Sequence, residues 1–174
     1  MQTQSLGRNL LFGMNMVTAL NGLVADWNRT HLFNKKWPPH AKYHDAMGLS
    51  MGVLLGGVGI YALQRKVGHP RDNLDLSAMC PAIFFVAMMT AQAFPNADTI
   101  ETEFPDYWPK IGRFSFNEVP FATSMLALVA LGWKMASSPE RESSDPIGEL
   151  VEESDRTPIK TKKVEDHVAA LRVS

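Results

Sequence analysis

The chain has 174 residues, a net charge of −1 and a pI near 6.5. That length suits a single domain, and a near-neutral chain without interleaved aromatic and basic residues gives no basis for a nucleic-acid partner. Mean hydropathy is only −0.10, yet the apolar residues are gathered ahead of Ser137 and the remainder is polar.

The first predicted element is residues 9–25, a run with no Asp, Glu, Lys or Arg. Three further uncharged runs follow at residues 46–63, 76–95 and 119–133. Segments of roughly 15 to 20 apolar residues match a hydrocarbon layer about 30 Å thick. A soluble bundle would show a charged face on each helix, and these runs show none, so the fold predicted is all-α: an integral membrane four-helix bundle with four transmembrane helices. The first run lacks a small-residue cleavage pattern and is read as a retained span.

Within that first run, Asn15, Thr18, Gly22, Ala25 and Asp26 share one helical stripe. Polar side chains in a span face the bundle interior, so the stripe is either an interhelical hydrogen-bond seam or the wall of a pocket that leads inward from Asp26.

The connector "DWNRTHLFNKKWPPHAKYHDA", residues 26–46, is dense in chemistry. Pro38 and Pro39 suit a helix start, which puts His40, His44 and Gly48 at i, i+4 and i+8 on one face. Trp27 and Trp37 suit the membrane interface. Two histidines one turn apart, with His31 or Asp26 as a third ligand, have the chemistry for a metal ion. Acid–base catalysis is the stronger reading, because histidine titrates near neutrality and a half-dehydrated carboxylate approaches it from below. No metal or other cofactor is assigned.

The second run places Gly48, Gly52 and Gly56 at four-residue spacing, a stripe that predicts close approach of a neighbouring helix. Cys80, the one cysteine, falls in the third run and excludes disulfide and CxxC chemistry within the chain. Gln92 near the end of that run is read as another interior polar group. The facing connector offers Asp98, Glu101, Glu103, Asp106 and Glu118. Glu118 is preferred among them because it directly precedes the fourth run, whereas the stretch from Asp98 to Asp106 reads as a solvated acidic loop. Asp45 and Asp75 read as boundary or capping residues.

Four spans put both termini on one side, with the connectors at 26–45 and 96–118 together on the other. Lys and Arg near the spans are evenly divided, and the cations of the tail favour cytosolic termini. The domain boundaries follow: residues 1–136 form the transmembrane domain and residues 137–174 a polar, disordered tail.

The "DWNRTH" exit from the first span and the "WPPHAKYHDA" entry to the second resemble a family of small four-span membrane proteins of fungi and some bacteria. It is similar in this motif to the small membrane epoxide hydrolases of fungal polyketide pathways of the aurovertin and citreoviridin type. Where that family has "NPxWPPH" this chain has "NKKWPPH", with Lys35 in the proline position. The resemblance covers residues 26–46 and the four-span plan. It implies an epoxide hydrolase, isomerase or cyclase of specialised metabolism, acting on an oily polyketide or terpenoid epoxide in the endoplasmic reticulum.

The matching positions are Asp26, Asn28, His31, His40 and His44. Together with the reading of the residues themselves, this makes Asp26 and His44, then His31, His40 and Glu118, the catalytic candidates, with Asn15, Thr18, Trp27, Asn28 and Gln92 as substrate-binding candidates. The partners implied are a lipophilic small molecule and membrane lipid, with a homo-oligomer also allowed for. Two other readings compete: a non-enzymatic protein that binds lipid or assembles with a partner, and an isomerase similar to the emopamil-binding, sterol-isomerase-like proteins.

Overall fold

The computed structural model describes residues 2–99, 103–104, 110–112 and 114–138. The expected polar tail therefore lies outside the described residues, apart from Ser137 and Ser138, and so do Glu101 and Asp106. These residues belong to the compact unit that ends at Ser138.

Four helices make the bundle: α1 (Gln2–Ala25), α2 (Pro39–Gln64), α3 (Pro70–Thr90) and α4 (Glu118–Ala136). Each packs on its neighbour in the chain and α4 closes the ring against α1, while α1 and α3 meet only lightly across the diagonal. A 3-10 turn (Ala91–Ala93) extends α3, and a two-residue antiparallel ladder, Lys110–Ile111 with Phe114–Ser115, sits in the second connector.

The helix boundaries have local causes. Proline needs no N–H in a first helical turn, and α2 starts at Pro39, as the Pro-Pro pair predicted, while α3 starts at Pro70. Gly68, at φ +81°, makes the turn between these two helices in a region where a side chain would be strained. Asn73 holds the same turn, accepting from Arg65 Nε at 2.6 Å and donating to the Val67 carbonyl at 3.0 Å. The side chain of Asn117 caps α4 by accepting from Val119 N–H.

Three helices, α2, α3 and α4, are long and apolar enough to cross a membrane. Their outward side chains, Leu54, Ile83 and Leu131 among them, are apolar and exposed, the arrangement a lipid-facing surface requires. Helix α1 is about 36 Å long at 1.5 Å per residue but is not among those three. Asn9, Asn15, Asn21 and Thr18 dilute its apolar run, and the helix takes in a polar first turn that the uncharged run omitted.

Small residues set the helix separations. Gly52 and Gly56 lie against the α1 backbone at Thr18 and Asn15, and Gly59 lies against the Asn15 side chain. Gly48, expected on the same stripe, faces open space. The packing face of α2 is thus Gly52, Gly56 and Gly59, with steps of four and three that follow the helix, rather than a repeated step of four that drifts around it. At the terminal end Gly7 abuts Gly132 and Ala136, and the core cluster of Leu11, Met14, Leu63, Leu74, Ala78 and Val129 fills that half of the bundle.

Candidate functional site

Of Asn15 and Thr18, expected as a seam or a pocket wall, Asn15 bonds across to α3 while Thr18 bonds back within α1. Both are fully buried. Asn15 Nδ2 donates to the Leu11 carbonyl at 2.9 Å and to the carbonyl and hydroxyl of Ser77 at 3.0 and 3.1 Å; Thr18 Oγ1 donates to the Met14 carbonyl. Neither lines the cavity described next.

That cavity, of about 910 Å³, occupies the connector end of the bundle. Its apolar lining comes from Met16, Val17, Leu20 and Val24 of α1, Met88 of α3, Phe121 of α4 and Phe104 of the second connector. Phe121 is fixed by an edge contact with the buried Phe85, ring centroids 5.9 Å apart. The polar lining is Asn21, Asp26, Thr30 and His31 from the α1 side, Asp45 from α2, Asn96, Asp98 and Thr99 from the second connector, and Glu118 at the start of α4. A large apolar chamber with a few convergent polar groups is the usual form of a small-molecule site.

The "NRTH" stretch builds one side of it. Asn28 Oδ1 accepts from Thr30 N–H at 2.7 Å, an Asx turn, and from Thr30 Oγ1 at 2.6 Å. With its hydroxyl proton committed to Asn28, Thr30 Oγ1 accepts from His31 Nδ1, 2.8 Å away. The imidazole is held as the Nδ1–H tautomer, which leaves Nε2 as the basic nitrogen. An edge contact with Trp37, ring centroids 5.2 Å apart, fixes the ring plane. Asn28 and Trp27 do not line the cavity: Asn28 orients its neighbours, and Trp27 is exposed and packs edge-on against Phe33.

His31 Nδ1 lies 3.6 Å from Asp26 Oδ1. Burial pushes the Asp26 carboxyl up to about 6, with His31 opposing the shift and Asp45 adding to it. Removing a carboxylate from water disfavours its charged form, so Asp26 exchanges its proton within reach of neutral pH. Among the other polar lining groups, Asp45 Oδ2, Glu118 Oε2 and Asn21 Nδ2 are buried and have no hydrogen-bonding partner among the described residues. Such atoms are costly unless a ligand or solvent serves them.

The two connectors are tied together outside the cavity. Lys36 Nζ reaches Glu103 Oε1 at 2.9 Å, and the buried Asn34 donates to the other Glu103 oxygen at 3.4 Å. The Lys36 hydrogen bond, with a smaller one from Asn34, holds the Glu103 carboxyl below its ordinary range.

His40 and His44 share a helix face as expected, their Nε2 atoms 3.1 Å apart, and that face is exposed. Neither lines the main cavity; His44 borders a smaller space of about 260 Å³ that also touches Asn21, Asp26 and Asp45. Gln92 is exposed and bonds back weakly to the Met89 carbonyl. Asp26, His31 and Glu118 are brought together at the cavity. Asn21 and Thr30 join them there without having been singled out, as do Asp98, expected in a solvated acidic loop, and Asp45, expected as a boundary or capping residue but placed inside α2, where it continues the Leu49, Gly52, Gly56 and Gly59 face inward. Among the described residues, no three His, Cys, Asp or Glu side chains are grouped to hold a metal ion.

Residues 12–143 match the model of DUF6640, a family of unknown function, and the chain belongs to that family. No curated protein and no solved structure matches the chain.

Proposed function

We propose that this DUF6640 protein is a membrane-embedded enzyme that moves protons on a lipophilic small molecule, with epoxide opening as its reaction. The observation that carries the reading is Asp26, whose proton is exchangeable near pH 6, paired with His31 at the polar end of an otherwise apolar cavity. A general acid works best when its pKa lies near the working pH.

In this scheme the protonated Asp26 carboxyl gives its proton to the epoxide oxygen as the C–O bond breaks. Glu118, aided by Asp45, takes a proton from a water that forms the new C–O bond. The proton then returns to Asp26, and the sum is epoxide plus water giving a diol. A hydroxyl of the substrate in place of that water gives a cyclic ether by isomerisation. The polyketide or terpenoid nature of the substrate rests on the resemblance of residues 26–46.

Four spans with cytosolic termini, in the endoplasmic reticulum, complete the proposal. Support for α1 as the fourth span is its packing against both α2 and α4 and its exposed Leu6 and Phe12.

The test is turnover by the purified protein in lipid discs, offered a panel of hydroxylated lipophilic epoxides and read by mass spectrometry for the hydrated or isomerised product. Asp26→Asn should lower the rate by about 100-fold or more, the scale of a lost general acid. Consumption of no epoxide, or an unchanged rate in Asp26→Asn, sinks the assignment.

A further inference from the structure

The cavity has a second property that its chemistry does not use: it is open along one side. Met16, Leu20 and Val24 follow one another at single-turn intervals on α1 and all line it. Yet these three side chains are 36, 46 and 81% exposed, rising toward the connector. The opposite bank of the opening is Phe121 on α4. The same two helices are shut at the terminal end, where Gly7 touches Gly132. The space between α1 and α4 is thus a cleft, closed at one end, whose long side faces the surroundings of the bundle at the level of the apolar spans.

Its lining also has a direction. Ten residues of helix separate Met16 from Asp26, about 15 Å along the axis, and the lining passes from wholly apolar to polar over that length. The ionisable groups at the polar end are four carboxylates, Asp26, Asp45, Asp98 and Glu118, against one imidazole, His31. Of the buried unpartnered atoms there, two are carboxylate oxygens and one is an amide N–H. Such a lining offers more acceptors than donors and repels negative charge.

We infer that the cleft between α1 and α4 takes its ligand sideways from the bilayer, and that the ligand is a single-headed amphiphile with an uncharged, hydrogen-bond-donating head, anionic lipids being turned away. This rests on the cavity as the binding site and not on the reaction assigned to it. A hydroxyl head meets the carboxylates of Asp45 and Glu118, and the chain or ring system lies along Met16, Leu20 and Phe121. Entry from water is the poorer route, because the connectors joined by Lys36 and Glu103 stand on that side.

The experiment uses the full chain in phosphatidylcholine vesicles with two photoreactive probes, a diazirine-bearing hexadecanol and the matching hexadecyl sulfate. Cross-links are mapped by mass spectrometry. The alcohol should label Met16, Leu20, Val24 or Phe121, compete with untagged hexadecanol, and out-label the sulfate at those positions. Filling the opening with Leu20→Trp or Val24→Trp should lower that labelling about tenfold or more, the scale on which a pocket senses added bulk, whereas Ile83→Trp on the outer face of α3 should not. Equal labelling by the sulfate, or alcohol labels spread uniformly over all outer faces without competition, overturns the inference. The wild-type map decides the matter even if a tryptophan variant fails to fold. Labelling retained in Asp26→Asn, with turnover lost or never present, separates the fate of this inference from that of the epoxide chemistry.

Discussion

The two ends of the bundle are built from the same four helices and solve opposite problems. At the terminal end small residues bring α1 and α4 into backbone contact, the core cluster fills the interior, and the outer polar groups pair with one another: Trp133 Nε1 donates to Asp75 Oδ1 at 2.6 Å, and the Arg71 guanidinium lies 4.6 Å over the Trp133 ring while pairing with Asp75, so that Asn15 Oδ1 alone of that half's buried polar side-chain atoms has no partner among the described residues. At the connector end large side chains border an open cleft, and buried polar atoms of Asn21, Asp45 and Glu118 are left without partners among the described residues. Unmet buried polar groups cost about 1–3 kcal/mol each. The contrast teaches that the packed end carries the stability that the open end gives up, the pattern expected where a site is kept for a ligand.

The sharpest way to break this contrast is to loosen the packed end. A Cβ at Gly7 would lie 2.7 Å from the Gly132 carbonyl and 2.8 Å from Met135 Cβ, and backbone has little room to yield. Gly7→Val should therefore cost about 3 kcal/mol or more, the range of a severe overpacking mutation, read as a fall in thermal midpoint in detergent. Gly48→Ala meets nothing within 4 Å and should change the midpoint little or raise it slightly, since alanine favours helix over glycine. Equal effects from the two would show that α1 and α4 do not meet as described.

The next effect has the opposite sign. Asp26 binds its proton more tightly when folded, at about 6 against an ordinary carboxyl value of 3.8, so between those values the folded protein holds more protons than the unfolded one. Stability then falls as pH rises through that window and stays low above it. Asp26→Asn should remove this slope and raise stability at neutral pH by up to about 3 kcal/mol, while lowering turnover. Denaturant titrations across the window check it, and a variant that is less stable at neutral pH would mean that Asp26 is a structural group. A smaller change is expected at the seam: Ser77→Ala removes one acceptor of Asn15 and should cost about 0.6 kcal/mol, the average for a polar contact between helices in lipid.

Much of the fold was legible because uncharged runs and helix-starting prolines act locally. The four helices and the start of α2 at Pro39 follow from residues close in sequence, and the number of spans then puts the two connectors at the same end. The cleft was not legible, because it depends on where α1 meets α4, and the contact that sets this, Gly7 against Gly132, joins residues far apart in the chain. The seam residues show the same limit: Asn15 and Leu20 differ by about 140° around α1, so one helix carries a packed polar face and a cleft-lining apolar face that spacing cannot assign to partners.

The smallest predicted effect is also the most instructive about α2. A repeated step of four residues links His40, His44, Gly48 and Gly52, but each such step overshoots a helical turn by about 40°, so the row winds from the exposed surface to the packed face. Following Gly52, Gly56 and Gly59 back through Leu49 leads instead to Asp45, which lines the cleft, while His40 stands outside it, bonded to His44 and stacked on Tyr43. His40→Ala should leave both product formation and amphiphile labelling within twofold of wild type, the scatter of an exposed position. Asp45→Asn should lower both, since it changes a cleft acceptor that has no partner among the described residues. A large loss in His40→Ala with none in Asp45→Asn would invert the assignment of the two faces of α2 and move the site from the cleft to the exposed histidine pair.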